Sequence, residues 1–172
     1  MKRLYLRAAF FLGLVVLSGF LFSFITRAQQ QVEPIVIVPG IMGSWNWDVL
    51  KDTSVNPIVK LEGWSFPPGP PVYKNLVDAL KLAVGADKVF VAFYDWRRSN
   101  VQGAKNYLKP IIDKAKAMSP TGKVNIVAHS MGGILARVYI EGPDYQDDVD
   151  QLITLGTPHF WFFGQLFGLG GR

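Results

Sequence analysis

The sequence contains no cysteine and only two histidines, His129 and His159. The lack of cysteine excludes structural disulfides and thiolate metal sites. No group of histidine, aspartate and glutamate residues has the spacing of metal ligands, so the sequence implies neither a metal nor a cofactor. The last acidic residue of the sequence is Asp150.

The positive charge of the chain is concentrated at its N-terminus. The formal net charge is +5, from 18 lysines and arginines against 13 acidic residues. Four of these cations and none of the acids fall within residues 1–28, so the rest of the chain is nearly balanced in charge. The composition therefore gives no reason to expect a nucleic-acid partner.

Residues 1–28 have the pattern of an export signal. Lys2, Arg3 and Arg7 precede an apolar run over residues 8–25, and Thr26-Arg27-Ala28 then offers small residues for cleavage. The run is also long enough for an uncleaved anchor. We expect residues 1–28 to be a signal peptide or an N-terminal membrane anchor, with membrane association through residues 8–25. The protein would then be secreted, periplasmic or membrane-anchored, with residues 29–172 as the N-terminal part of its folded domain.

Apolar runs and helical periods alternate along residues 29–172. Short apolar runs predict strands, and apolar residues three or four apart predict helices. Pro110 must kink the second helix or start its second half. This alternation predicts an α/β domain, with a mostly parallel sheet and helices on both faces. The strands are expected at residues 35–38, 88–94, 124–128 and 149–155, the helices at 72–84, 102–118 and 131–141, and irregular structure at 44–71.

Residues 124–133, Val-Asn-Ile-Val-Ala-His-Ser-Met-Gly-Gly, predict a nucleophile elbow. An apolar strand stops at Ser130 and a helix follows, a turn that presents a serine hydroxyl above the sheet. Small residues are needed two positions before and after the serine, because the strand and helix backbones approach closely there. Gly132 meets this need, and Ala128 replaces the usual first glycine with one additional methyl group.

A second chemical element is residues 38–44, Val-Pro-Gly-Ile-Met-Gly-Ser, directly after the first strand. Acyl transfer at a serine generates an oxyanion, which two preorganised N–H donors must stabilise. One donor normally follows the nucleophile and the other comes from this early loop. The backbone N–H groups of Met131 and Met42 are therefore the expected oxyanion hole, with Ile41 as the alternative to Met42.

Four segments of the chain together resemble a known family. Residues 39–44, 94–97 (Tyr-Asp-Trp-Arg), 128–133 and 155–159 (Leu-Gly-Thr-Pro-His) are similar to the lipase branch of the α/β-hydrolase superfamily. The likeness is to the lecithin:cholesterol acyltransferase type and to the GPI inositol-deacylase type. It implies the α/β-hydrolase fold and an oxyanion hole at Met42 and Met131. The acid and base of that family have no counterpart here, so we expect a C-terminally truncated domain that is inactive by itself.

Three further side chains near these segments have less specific interpretations. His129 adjoins Ser130, but neighbouring side chains of a strand point to opposite faces, so a packing role is expected. His159 follows the last strand and is a possible pocket-lining residue, as is Ile41. Asp95, between Tyr94 and Trp96, is expected to form a structural ion pair with an arginine beside a stacked indole.

These features together predict an exported serine hydrolase that cleaves carboxylic esters, of lipids or other acyl compounds, through Ser130. An acyltransferase with the same nucleophile is one alternative. A non-catalytic, membrane-tethered remnant that keeps the binding cleft is the other.

Overall fold

A computed structural model describes residues 32–54 and 59–159. The chain divides into two units, Met1–Val32 and Glu33–Arg172, and the fold described here is that of the second. The predicted signal or anchor, with its apolar run at residues 8–25, lies outside the described residues, as do residues 160–172. Within the described part, no helix is long and apolar enough to cross a bilayer.

The core of the described domain is a sheet of four parallel strands in the order β2-β1-β3-β4. Because β1 and β3 pair on both sides, they form the centre of the sheet, and five of their apolar residues are fully buried: Val36, Val38, Val124, Ile126 and Ala128. The strands are β1 (Ile35–Val38), β2 (Val89–Val91), β3 (Val124–His129) and β4 (Val149–Leu155).

Helices cover both faces of this sheet, which confirms the predicted α/β architecture. Val36 and Val38 face one helical layer, and Ile35 and Ile37 face the other. The first layer contains α3 (Asn100–Gly103), the π-helical segment Ala104–Leu108, α4 (Lys109–Lys116) and α5 (Met131–Ile140), and the second contains α2 (Lys74–Val84). The carboxyl ends of β1 and β3 therefore emerge side by side between two helical layers.

The first and last strands have the predicted bounds, and β2 is shorter than predicted. The Ala92 N–H still donates to the Ile37 carbonyl, but the Tyr94 N–H donates to the Ser44 hydroxyl at 3.2 Å. The chain leaves the sheet after Ala92, because the next backbone donor, the Tyr94 N–H, bonds to the Ser44 side chain and not to the backbone of β1.

The helix predicted at residues 102–118 begins at Asn100 and ends at Lys116. The Ser99 hydroxyl caps its start by accepting from the Gln102 N–H at 3.3 Å. Pro110 lies in the first turn of α4, immediately after the π-helical segment. A wider turn before a proline accommodates its missing N–H donor, so Pro110 starts the second half of the helix, one of the two predicted outcomes.

Where the structure describes the segment predicted to be irregular, residues 44–54 and 59–71, there is one short helix, α1 (Trp47–Leu50). The Asn46 side chain caps it by accepting from the Val49 N–H, and Trp45 pairs with Ser65 in an isolated antiparallel bridge. A four-residue helix is too short to give a periodic sequence signal, so the prediction of irregular structure was wrong at these residues.

Candidate active site

Ser130 lies at the junction of β3 and α5, and its backbone is strained. Its dihedral angles are φ 51° and ψ −124°, a region that residues other than glycine rarely adopt. The Ser130 N–H donates to the Leu155 carbonyl at 2.9 Å, so the end of β4 helps to hold this conformation. The chain thus makes the sharp strand-to-helix turn that the sequence predicts.

Replacement of Ser130 gives a direct measure of this strain. We expect Ser130→Gly to be more stable than Ser130→Ala by about 1 kcal/mol, because glycine avoids a backbone strain of ~1–3 kcal/mol but loses ~0.5–1 kcal/mol of chain entropy. Chemical denaturation of the two variants provides the comparison. Equal stability, or a more stable alanine variant, would contradict a strained turn.

Close backbone contacts surround the turn, as the sequence predicts for Gly132. A Cβ on Gly132 would lie 2.5 Å from both the Val38 and the Pro39 carbonyl oxygens. A Cβ on Gly133 would overlap the Thr157 hydroxyl oxygen. Both distances are far shorter than any real Cβ contact. The start of α5 can therefore pack this closely only because residues 132 and 133 are glycines.

The loop after β1 forms a tight turn over residues 40–43. The Gly43 N–H donates to the Gly40 carbonyl at 3.0 Å, and Met42 has φ 59° at the third position of the turn, as a type II turn requires. The side chains of Ile41 and Met42 are more than half exposed. The turn therefore presents two apolar side chains at the surface, between two buried glycines.

This turn lies directly against the elbow. A Cβ on Gly40 would be 2.9 Å from the Ser130 Cβ, so only a glycine allows so close an approach. The backbone N–H groups of Met42 and Met131 have no acceptor among the described residues. Two unused backbone donors thus flank a serine at the end of a central strand.

Residues 94–96 hold the far side of the same loop. The Tyr94 hydroxyl donates to the Pro39 carbonyl at 3.0 Å, and the Trp96 indole N–H donates to the Ser44 carbonyl at 3.1 Å. Burial raises the pKa of the Tyr94 hydroxyl, which keeps it protonated and able to donate. The predicted motif at residues 94–97 therefore braces the loop that carries Ile41 and Met42.

Tyr73 holds the loop from the other side, a role that no sequence pattern indicated. The Gly40 N–H donates to the Tyr73 hydroxyl at 2.9 Å, and that hydroxyl lies 2.8 Å from His129 Nδ1. The two rings also meet edge to face. His129 thus has the packing role that its position predicted. Tyr73 precedes α2 in no recognisable motif, so only the fold reveals its contacts.

His159 forms its hydrogen bonds with residues other than Ser130. Its Nδ1 lies 3.3 Å from the Arg137 guanidinium, and its Nε2 lies 3.3 Å from the Thr154 hydroxyl. Both ring nitrogens are thus engaged beside the end of β4. Among residues 32–54 and 59–159, no histidine reaches the Ser130 hydroxyl through a hydrogen bond.

Asp95 forms the predicted structural ion pair. Its carboxylate accepts two hydrogen bonds at 2.8 Å from the Arg97 guanidinium, and Arg98 lies 3.5 Å away. Burial raises the pKa of the Asp95 carboxyl, but the hydrogen bonds and charges of the two arginines outweigh burial and hold that pKa below its usual range. The described residues contain no cluster of side chains suited to a metal ion.

Comparison with known protein families gives a match that begins at the end of α2. Residues 83–161 match the PGAP1-like alpha/beta domain. This is a hydrolase-like fold family, in keeping with the architecture of the sheet and with the hydrolase part of the predicted resemblance. The matched residues include the elbow and the Gly-Thr-Pro segment, and the loop at residues 39–44 lies before them. No curated protein matches the chain.

Proposed function

We propose that this protein is a serine hydrolase that cleaves carboxylic esters of lipids, with Ser130 as the nucleophile. The strained backbone of Ser130, at φ 51° between a central strand and a helix, carries the proposal. A protein retains such strain where the surrounding structure enforces it, which is common at active sites. The match to a hydrolase-like family supports this class of activity.

The geometry supports one sequence of steps. The Ser130 hydroxyl oxygen attacks the ester carbonyl carbon while a base takes its proton, and the carbonyl oxygen becomes an oxyanion. The N–H groups of Met131 and Met42, which have no other acceptor among the described residues, bind that oxyanion. The bond to the alcohol then breaks and the alcohol leaves with a proton. Water hydrolyses the acyl-serine in the second half of the reaction.

The lipid part of the proposal rests on the loop beside the serine. Ile41 and Met42 are 57% and 58% exposed on a turn that contacts Ser130 through Gly40. An acyl chain that covered these side chains would remove apolar surface from water on both partners. An ester with a long acyl chain is therefore a better fit to this surface than a small polar ester.

The proposed reaction needs a base that the described residues do not provide. His129 is bonded to Tyr73, and His159 is bonded to Thr154 and Arg137. We propose that a histidine and a carboxylate from outside the described residues complete the site. The 172 residues alone should then react slowly, and free imidazole should act in place of the missing base.

A fluorophosphonate probe tests this proposal on the chain as it stands. We expect imidazole to accelerate modification of Ser130, located by peptide mass spectrometry, and Ser130→Ala to abolish it. Ser54→Ala, which removes an exposed serine outside the elbow, is the matched control and should leave the rate unchanged. Modification that persists in Ser130→Ala, or that falls on other serines, would refute the nucleophile assignment.

A non-catalytic remnant that keeps the cleft is the second candidate. The hydrogen bonds of the two histidines favour it, because His129 is bonded to Tyr73 and His159 to Arg137 and Thr154, so neither is placed to act as the base. On that hypothesis, Ser130 stays unmodified at every imidazole concentration while an acyl ester still binds. Equilibrium binding of a fluorescent long-chain ester, measured beside the labelling reaction, distinguishes the two functions.

A further inference from the structure

Tyr73 occupies a buried position between the loop and the elbow. It immediately precedes α2, and it is 8% exposed. Its ring stacks on Phe66 at a centroid distance of 5.3 Å and meets the His129 ring edge to face at 5.7 Å. Two aromatic neighbours therefore fix the ring plane and the direction of its hydroxyl.

The hydroxyl of Tyr73 joins the two parts of the candidate site. It accepts the Gly40 N–H at 2.9 Å and lies 2.8 Å from His129 Nδ1. A hydroxyl has one proton to donate and two lone pairs that accept, so the Tyr73 hydroxyl can bond to the Gly40 N–H and to His129 Nδ1 at the same time. The hydroxyl thus links the first residue of the turn to the residue before Ser130.

The ring of Tyr73 also supports the end of the turn. A Cβ on Gly43 would lie 3.0 Å from Tyr73 Cε2, and a Cβ on Gly40 would lie 3.0 Å from His129 Nδ1. Tyr73 therefore touches the turn at both of its glycines, and the residues between those glycines are Ile41 and Met42. A shift of the Tyr73 side chain would move the Met42 N–H relative to Ser130.

We propose that Tyr73 is a positioning residue that sets the distance between the oxyanion turn, residues 40–43, and the Ser130 elbow. Its chemical consequence rests on the proposed function, since the turn matters to catalysis only if Ser130 is a nucleophile. Tyr94 holds the preceding residue by donating to the Pro39 carbonyl. The Tyr94 bond fixes the start of the loop. The Tyr73 hydroxyl fixes the turn itself, because it accepts the N–H of Gly40, the first residue of the turn.

Tyr73→Phe is the decisive variant because it keeps the ring and removes only the hydroxyl. It leaves the Gly40 N–H without its acceptor in a buried site, which favours a small movement of the turn. Misplacement of a catalytic group by about 1 Å can cost ~100-fold in rate. We expect at least a roughly tenfold fall in the maximal rate of Ser130 modification by the fluorophosphonate, with little change in the half-saturating probe concentration.

Tyr139→Phe is the matched control. Tyr139 is 2% exposed and donates its hydroxyl to Asp148, which precedes β4 at the opposite end of the sheet from Ser130. This variant also removes one buried tyrosine hydroxyl and should lower the melting temperature. We expect its labelling rate to stay within about twofold of the unmodified protein at a temperature where both are folded, because a loss of stability by itself leaves the site of the folded molecules intact.

A second measurement does not depend on labelling. Amide hydrogen exchange at Gly40, followed by NMR, should accelerate in Tyr73→Phe and stay unchanged in Tyr139→Phe, because only the first variant removes the acceptor of that N–H. Equal labelling of Tyr73→Phe and Tyr139→Phe would overturn a positioning role. If even the unmodified protein is not labelled, the proposed function fails, and Gly40 exchange alone decides whether Tyr73 holds the turn: faster exchange supports it and unchanged exchange overturns it.

Discussion

Gly132→Ala is expected to lower the free energy of unfolding by about 2–3 kcal/mol. Its new methyl group would lie 2.5 Å from the carbonyl oxygens of Val38 and Pro39, which are backbone atoms at the end of the central strand β1. Alanine in a helix is favoured over glycine by ~1 kcal/mol, but overpacking against atoms that cannot rotate away costs more than this. Relief of the clash would push the Pro39 end of the loop away from Ser130.

Urea denaturation measures this loss, with Gly122→Ala as the control. Gly122 has φ 78°, and a Cβ there would meet nothing within 4 Å, so its replacement carries the cost of backbone strain without a clash. We expect that variant to lose only about 1 kcal/mol. A Gly132→Ala protein as stable as the control, or more so, would show that α5 can move away from β1.

Much of this fold could be predicted from sequence because its determinants are local. The run Ile35–Val38 is buried on both faces, and a continuous apolar run is what a central parallel strand requires. The turn at Ser130 could also be predicted, because the small residues that make it possible are within two positions of it. The expected oxyanion donors, the backbone N–H groups of Met42 and Met131, come from the same two motifs and stay a prediction.

What the sequence did not reveal depends on residues far apart in the chain. The Gly40–Tyr73 bond joins residues 33 positions apart, and the Tyr94–Ser44 bond that ends β2 joins residues 50 positions apart. A tyrosine before a helix has no distinctive local pattern, so its partner is set by the packing of the whole domain. The position of His159 was predicted at the end of β4, but its bonds to Arg137 and Thr154 depend on how α5 crosses that strand.

Arg97 connects the braced segment at residues 94–97 to the short helix α1. Its guanidinium donates to the Val49, Leu50 and Asp52 carbonyls at 2.8–3.2 Å while it pairs with Asp95, whose side chain is 1% exposed. One side chain thus serves a buried carboxylate and the end of a helix. Removal of Arg97 would take away the main hydrogen-bond donor of the Asp95 carboxylate and of the carbonyl groups at the end of α1.

Arg97→Met should therefore cost about 3 kcal/mol of stability at neutral pH, since breaking a buried ion pair from one side is strongly destabilising, and the buried carboxylate keeps only the more distant Arg98, at 3.5 Å. The cost should depend on pH. In the unmodified protein the folded-state pKa of Asp95 lies below its ordinary value of 3.8, so the stabilisation is present above that value and is lost as the pH falls through the folded pKa. In the variant, the buried Asp95 carboxylate has lost its main partner. Protonation of Asp95 at low pH removes its charge and therefore the cost of burying that charge.

The stability gap between the two proteins should consequently be widest above about pH 5 and narrow as the solution is acidified below the ordinary carboxyl pKa. Urea denaturation at several pH values measures it. Lys74→Met is the matched control, because Lys74 pairs with Asp78 on the surface of α2, where the two side chains are 66% and 53% exposed. A surface pair of this kind contributes ~0–1 kcal/mol, so its loss should produce a small gap. A gap for Arg97→Met that stays constant from neutral to acidic pH would mean that Arg97 stabilises the domain through its contacts with α1 and not through the charge of Asp95.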